Sequence, residues 1–325
     1  MEKREFKPFG EVSSLTLGGG GLGQAWGDTT REETVATVKF ALECGITHFD
    51  VAPMYGRGEA ERVVGESLQG RSLDGLFFTT KCRLGRLPDE NVYDHLNNSL
   101  MRSLETMKIQ KVDLFLLHSQ LVEDDFTLFS NNEFKDRNST TLSSYYNAAI
   151  PAFEQLKKEG KIGSWGIGGM GQNNALIAAI NHETPPEAMQ CVINPLNSAG
   201  GIGYADQAYD PELIFQAASN KQIPVLAIRA VQAGALTSKM DRKPHESGFD
   251  KLDFEDFIKA KPFREIADEW NISPAKLAHK YALSIQGPSS VILGVKNREE
   301  LAECVEAEEE ERLTPIEIKT LEDLF

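Results

Sequence analysis

The sequence predicts a parallel (β/α)8 barrel, on three observations. Short apolar runs alternate with amphipathic helical periods along the chain, and eight such strands can be counted. No shift in composition marks a boundary, so one domain is expected over residues 1–325. Asp50, Lys81 and His118 each close an apolar strand, and this architecture carries its functional groups at the C-terminal strand ends. A doubly wound sheet is the alternative architecture.

Val12 to Leu17 is read as the first strand, ending in the glycine-rich turn Gly18 to Gly23. Thr29 or Thr30 opens a helix with Glu32 and Glu33 in its first turn, where the helix dipole favours acids. Gly45 ends it, and a strand through Phe49 exits at Asp50 onto a loop that carries Tyr55 between Pro53 and Gly56. Glu59 to Leu68 is helical, and Phe77 to Thr80 is the strand that Lys81 closes. Val92, Leu96, Leu100, Leu104 and Met107 mark the next helix, and Val112 to Leu117 is the strand before His118. Ser119 to Ser143 has no period, and loops of that length inside a compact domain usually carry function or mobility. Further strands follow at Ile162–Gly168, Ala188–Asn194, Pro224–Ala230 and Ser290–Val295. The helices expected among and after them are Ala148–Glu159, Asn174–Asn181, Pro211–Ala218, Phe263–Trp270, Pro274–Ile285, Glu299–Glu308 and Pro315–Leu324.

Composition excludes several function classes. Asp and Glu number 49 against 34 Lys and Arg, and the resulting charge of −15 argues against a nucleic-acid binder. Cys44, Cys82, Cys191 and Cys304 form no CxxC pair and fit reduced thiols better than disulfides or a zinc site. Met1 to Glu5 carries no apolar signal region and no later run reaches membrane-spanning length, so a cytoplasmic protein is expected. The acidic run Glu306–Glu311 is read as a solvated helix end.

Gly166-Ile167-Gly168-Gly169-Met170-Gly171 matches a GxGxxG pattern. It lies mid-chain rather than after a first strand, so a tight turn is the better reading than a Rossmann site. Gly18 to Gly23 lacks the Lys-Ser/Thr ending of a P-loop; at a barrel mouth Gly20 and Gly21 would let a flat ring lie against backbone.

Asp50, Tyr55, Lys81 and His118 taken singly have ordinary structural explanations, as an ion pair, a loop anchor and a core imidazole. Their recurrence at successive strand ends favours chemistry. A phenol holds its proton at neutral pH and can give it to an alkoxide. A neighbouring ammonium draws its pKa down, a carboxylate keeps that ammonium charged, and an imidazole can orient a carbonyl oxygen. The set suits carbonyl reduction, or its reverse, with hydride from a nicotinamide.

With these residues in hand, the sequence resembles the aldo-keto reductase superfamily over nearly its whole length. Gly45-Ile46-Thr47-His48-Phe49-Asp50-Val51-Ala52-Pro53-Met54-Tyr55-Gly56 is similar to that family's first signature. Thr80-Lys81 matches its lysine strand, Asp113 to His118 its histidine strand, and Lys158 to Gly168 a further segment. The resemblance implies a (β/α)8 reductase with Tyr55 as general acid, Lys81 as its pKa modulator, Asp50 as partner of Lys81, and His118 orienting the substrate. It implies NADP(H) in preference to NAD(H). Gln190 matches the residue holding the nicotinamide carboxamide, while Gly168-Gly169 stand where the family often has Ser-Asn. Ile228 takes the place of a ring-stacking tyrosine, and Arg229 beside it is positioned for a pyrophosphate or a substrate acid. Gly294, Lys296, Glu300 and Glu303 fall in the adenosine-phosphate segment, with Lys296 as the cation for a 2′-phosphate. Glu300 and Cys304 depart from the Gln or Arg and the Asn that are frequent there. The expected partner is a small carbonyl or sugar substrate, with the loops Ser119–Ser143 and Asn197–Tyr209 shaping its site. An NAD-dependent sugar or polyol dehydrogenase, a cofactor-binding regulatory subunit, and a Schiff-base enzyme using Lys81 remain as alternatives.

Overall fold

A computed structural model of the protein describes residues 1–7, 9–126, 137–202, 209–246 and 248–325. Eight parallel strands close into a barrel: β1 Leu15–Gly18, β2 His48–Asp50, β3 Phe77–Cys82, β4 Val112–Leu117, β5 Ile162–Ile167, β6 Met189–Val192, β7 Val225–Ile228 and β8 Pro288–Leu293. Each strand pairs with its sequence neighbours, and β8 closes the ring onto β1 with Val291 opposite Leu15 and Leu293 opposite Leu17. The expected (β/α)8 architecture is the one observed.

Strand alternation decides what faces inward. The lowest layer is apolar: Phe77, Leu114, Leu116, Ala188 and Leu226 pack with Phe6 and Val12. Phe6 and Val12 come from an antiparallel hairpin, Lys3–Phe6 with Gly10–Ser13, that plugs the N-terminal end. Above it lies a hydroxyl and imidazole layer. The Thr16 hydroxyl meets His48 Nδ1 at 2.8 Å and Ser290 Oγ at 2.6 Å, and His48 Nε2 meets Thr79 Oγ1 at 2.8 Å. Two residues further along β2 and β3 come Asp50 and Lys81. The opposite faces of the same strands, Phe49, Phe78, Phe115 and Trp165 among them, pack against the outer helices. Those helices begin where the side chains dictate: Thr30, Asp210, Ser273, Asn297 and Thr314 each accept a first-turn backbone N–H.

The structure departs from expectation in four places. Val12 belongs to the hairpin, so β1 starts only at Leu15. Gly19–Leu22 forms one helical turn rather than an open turn. A helix at Lys251–Lys259 was not expected, because Leu252 and Ile258 face outward at 47% and 75% exposure and blur its period. Within the expected loop Ser119–Ser143, Gln120–Val122 pairs with Ser139–Thr141. Residues 127–136 of that loop, and 203–208 of the loop Asn197–Tyr209, lie outside the described residues. The four cysteines are unpaired, and among the described residues no helix is long and apolar enough to cross a membrane.

Candidate active site

Three neighbouring strand ends bring the sequence-nominated tetrad together. Asp50 ends β2, Lys81 is the second-to-last residue of β3, and His118 follows β4; Tyr55 reaches back from the loop after β2. The Lys81 ammonium donates to Asp50 Oδ1, to the Val51 carbonyl at 3.0 Å and to the Tyr55 hydroxyl at 3.5 Å. Lys81 and Asp50 are buried at 1% and 2% exposure, whereas Tyr55 and His118 stay partly open to the barrel mouth. The Tyr55 and His118 rings meet edge to face with centroids 5.8 Å apart. The His118 backbone N–H donates to the Cys82 carbonyl at 2.7 Å, which locks the exit of β4 to that of β3.

Burial and charge set the protonation states. Burial opposes a charge on Lys81, but the Asp50 carboxylate beside it overrides that cost and holds its pKa above the ordinary value. Burial pushes the Asp50 carboxyl up, against donations from Lys81 and from Gln190 Nε2 at 3.0 Å. The pair is therefore an ammonium and a carboxylate, compensated by direct contact. Burial raises the Tyr55 phenol and the Lys81 ammonium draws it back, so the hydroxyl keeps its proton at neutral pH. Burial, with Lys81 and Arg83 adding positive charge, holds His118 well below its ordinary pKa and neutral. A protonated phenol and a neutral imidazole facing one opening can both donate to a single oxygen. A charged lysine behind the phenol lowers the cost of the phenolate left after proton release.

The residues nominated for a dinucleotide occupy the same mouth in different ways. Gln190 at the exit of β6 is buried and bonded to Asp50, which links it directly to the tetrad. Gly169 has φ +66°, and a Cβ there would come 1.8 Å from the Gln190 carbonyl oxygen, so only glycine fits. A Cβ on Gly168 would come 3.3 Å from the Leu117 carbonyl oxygen, tight enough that this neighbour must give by a few tenths of an ångström. Ile228 is partly open at the exit of β7. Arg229 is committed to neighbouring side chains: its Nε donates to Gln232 at 2.7 Å and its Nη2 pairs with Asp253 at 2.5 Å. That commitment leaves its fork holding protein rather than reaching a phosphate. A Cβ on Gly20 would meet Trp26 Nε1 at 2.4 Å, one on Gly294 would meet the same atom at 3.2 Å, and one on Gly21 would meet the Val295 carbonyl oxygen at 2.0 Å. Lys296 lies past β8 and pairs with Asp241 at 2.5 Å and with Glu300. Glu303, one turn on, accepts from Ser273 of the adjoining helix. Gly20 lies under Trp26 and Gly21 against Val295, so neither offers the bare backbone expected under a flat ring, while the buried Gln190 amide and Lys296, once released from its two carboxylates, suit a phosphate-bearing dinucleotide. Gln190, Ile228 and the Gly168–Gly169 turn would flank its nicotinamide, and Lys296 its adenosine end; bound there, the nicotinamide would supply the hydride.

Sequence reading missed four residues around this opening. Trp26 covers Gly20 and Gly294, and its ring carries the Arg242 guanidinium at 5.6 Å. The Tyr209 hydroxyl donates to the Gly169 carbonyl at 2.8 Å. Met54 is 47% exposed beside Tyr55, and Arg83 follows Lys81 by two positions with Nη2 3.6 Å from the Met54 sulfur. Only the i, i+2 relation of Arg83 to Lys81 was visible beforehand.

A sequence model described as the Aldo/keto reductase family matches residues 14–325. The chain belongs to the aldo/keto reductase family. It is therefore an oxidoreductase-family enzyme, of a kind that works with nicotinamide cofactors and small carbonyl substrates. This aldo/keto reductase is 27% identical over 323 residues to the uncharacterized oxidoreductase YqkF of Bacillus subtilis (strain 168), covering 96% of this chain and 94% of that protein. Its fold matches the holo form of the aldo-keto reductase AKR11C1 from Bacillus halodurans with a TM-score of 0.73 at 21% identity, covering 100% and 96% of the two chains. It also matches an aldo/keto reductase from Klebsiella pneumoniae solved with NADP and acetate, with a TM-score of 0.67 at 20% identity over 99% and 95% of the chains.

Proposed function

We propose that this aldo/keto reductase converts aldehydes, ketones or sugars to alcohols, with Tyr55 as the general acid. In this reading Lys81 tunes the phenol, Asp50 holds Lys81 charged, and His118 orients the carbonyl oxygen. The observation that carries it is the single Lys81 ammonium touching both the Asp50 carboxylate and the Tyr55 hydroxyl, opposite the His118 ring. Tyr55→Phe tests it. The substitution should lower carbonyl turnover by about 10²–10⁴-fold, the usual contribution of a positioned proton donor, with nucleotide affinity unchanged by fluorescence titration. A variant keeping more than about a tenth of the activity would remove Tyr55 from the role.

NADP(H) is the cofactor this reading favours, because Lys296 supplies a cation at the adenosine end. One observation favours NAD(H) instead: Asp241 and Glu300 both lie on that lysine, and a carboxylate suits a ribose hydroxyl better than a phosphate. Titration of NADPH and NADH against wild type and Lys296→Ala separates the two. NADPH preference lost in the variant supports the first; equal or tighter NADH binding by wild type supports the second, and with it the dehydrogenase direction.

A further inference from the structure

Arg83 is exposed at the C-terminal strand ends, where the tetrad lies, and nothing in the chemistry above uses it. It lies two residues beyond Lys81, in the segment leaving β3, and its side chain is exposed. Its Nη2 reaches the Met54 sulfur at 3.6 Å, and Met54 directly precedes Tyr55. A thioether is a weak acceptor without charge, whereas a guanidinium has five N–H donors in a planar fork. No described carboxylate forms an ion pair with Arg83, in contrast to Arg229 and Arg242 on the other side of the mouth. The charge is felt at both groups that face the opening: Arg83 works weakly against the burial that raises Tyr55 and adds to the burial and Lys81 charge that lower His118.

The backbone that carries Arg83 is fixed. Ser119, immediately after His118, accepts the N–H of Leu84 at 2.8 Å and that of Gly85 at 3.0 Å. Thr140 donates to the Gly85 carbonyl at 3.1 Å, and His95 Nε2 lies 3.0 Å from the Arg83 carbonyl oxygen. The strand end that offers His118 therefore also clamps the arginine segment. Arg86, on the same segment, is directed elsewhere, to the Phe126 carbonyl at 3.3 Å. A rigidly based, unpaired guanidinium beside the oxygen-binding pair is placed to hold a second group on the same small substrate.

We propose that Arg83 recognises an anionic group on the substrate, a carboxylate or a phosphate monoester, so that small anionic aldehydes or ketones are preferred over neutral ones. This deepens the reductase reading and rests on it. The net charge of −15 repels such a substrate at long range, so its retention would depend on a local cation such as Arg83.

Two matched pairs test the assignment and distinguish the two anions: 4-oxobutanoate against its methyl ester, and glyceraldehyde 3-phosphate against glyceraldehyde. Wild type should show a kcat/KM ratio of at least about 10 in favour of the anionic member of one pair, shrinking as salt is added. Arg83→Met should reduce that ratio by about 10- to 100-fold, and Arg83→Lys should keep part of it. Nucleotide titration of each variant reports that the barrel is intact. Neutral members reduced as well as anionic ones by wild type, or a ratio unchanged in Arg83→Met, would overturn the proposal while leaving the reductase reading in place. If no aldehyde is turned over with either nucleotide, the reductase reading fails, and calorimetric titration of succinate and inorganic phosphate against the nucleotide-loaded protein decides the anion site alone. Binding by wild type that weakens at least about tenfold in Arg83→Met upholds it, and equal or absent binding overturns it.

Discussion

Replacing Lys81 by Met keeps most of the side-chain volume and removes the one charge that compensates Asp50. The Asp50 carboxylate would then sit at 2% exposure with only the Gln190 amide donating to it. Breaking a buried pair from one side costs about 3–5 kcal/mol, because the remaining charge is stranded away from water. Unfolding entropy of about 2.1 cal/mol/K per residue over 325 residues makes 1 kcal/mol equal to about 1.5 °C, so Tm should fall by roughly 4–8 °C at pH 8. Lys81→Met/Asp50→Asn should recover at least about half of that loss, since no charge is left stranded. The pH dependence carries the sign. Burial already raises the folded-state pKa of Asp50, and without Lys81 it rises further above the unfolded value of about 3.9, so the folded state binds the extra proton and stability falls as pH rises. The deficit of the single variant should therefore shrink between pH 8 and pH 5. Differential scanning calorimetry of the three proteins without nucleotide makes the measurement. A Tm loss under about 1.5 °C, or a deficit that grows toward pH 5, would refute the stranded-charge reasoning.

Two further predictions follow from the same site. Because burial raises the Tyr55 phenol and His118 is held neutral, kcat/KM for carbonyl reduction should stay flat through neutral pH and fall only at alkaline pH beyond the ordinary phenol range, where the phenol loses its proton. Alcohol oxidation, which needs the phenolate, should instead climb with pH over the same range, and a break near pH 6.5 in either profile would show His118 titrating in its ordinary range. The two glycines after β5 should respond oppositely to side chains. Gly168→Ser needs a shift of only a few tenths of an ångström and, if its hydroxyl reaches the carboxamide, should tighten nicotinamide nucleotide binding several-fold, about 1 kcal/mol. Gly169→Asn would force the Gln190 carbonyl aside and should lower both Tm and nucleotide affinity.

The tetrad was legible because strand alternation and strand ends are local properties, and four residue types fell on them within 70 positions of chain. The cofactor side was legible only as a set of positions. Whether Arg229 faces a ligand depends on Asp253 and Gln232, and the state of Gln190 depends on Asp50, 140 residues away. Such commitments arise from barrel closure and leave no pattern in the sequence. The first strand begins at Leu15 rather than Val12 and the last spans Pro288–Leu293 rather than Ser290–Val295, but all eight stood out because each is an apolar run bounded by turn residues. The Lys251–Lys259 helix did not, because Leu252 and Ile258 point to solvent and its charges carry no clear face. Arg83 was overlooked for a related reason: an arginine in a loop is ordinary until the neighbours of its guanidinium are known.

The seam between β8 and β1 also governs when the enzyme comes into being during synthesis. Asp50, Tyr55, Lys81 and His118 are all made well within the first half of the chain, yet the ring that fixes them closes only when Val291–Leu293 pairs with Leu15–Leu17. The Ser290 hydroxyl, which completes the bonded layer beneath them through Thr16 and His48, arrives at the same moment. About 170 residues lie between His118 and that strand, roughly 8–35 s of translation at the usual 5–20 residues per second. Through that interval the half-built barrel exposes open strand edges on β1 and on each newest strand. A nascent chain stalled before residue 288 should thus engage chaperones and show no nucleotide binding, although every residue of the tetrad has already left the ribosome.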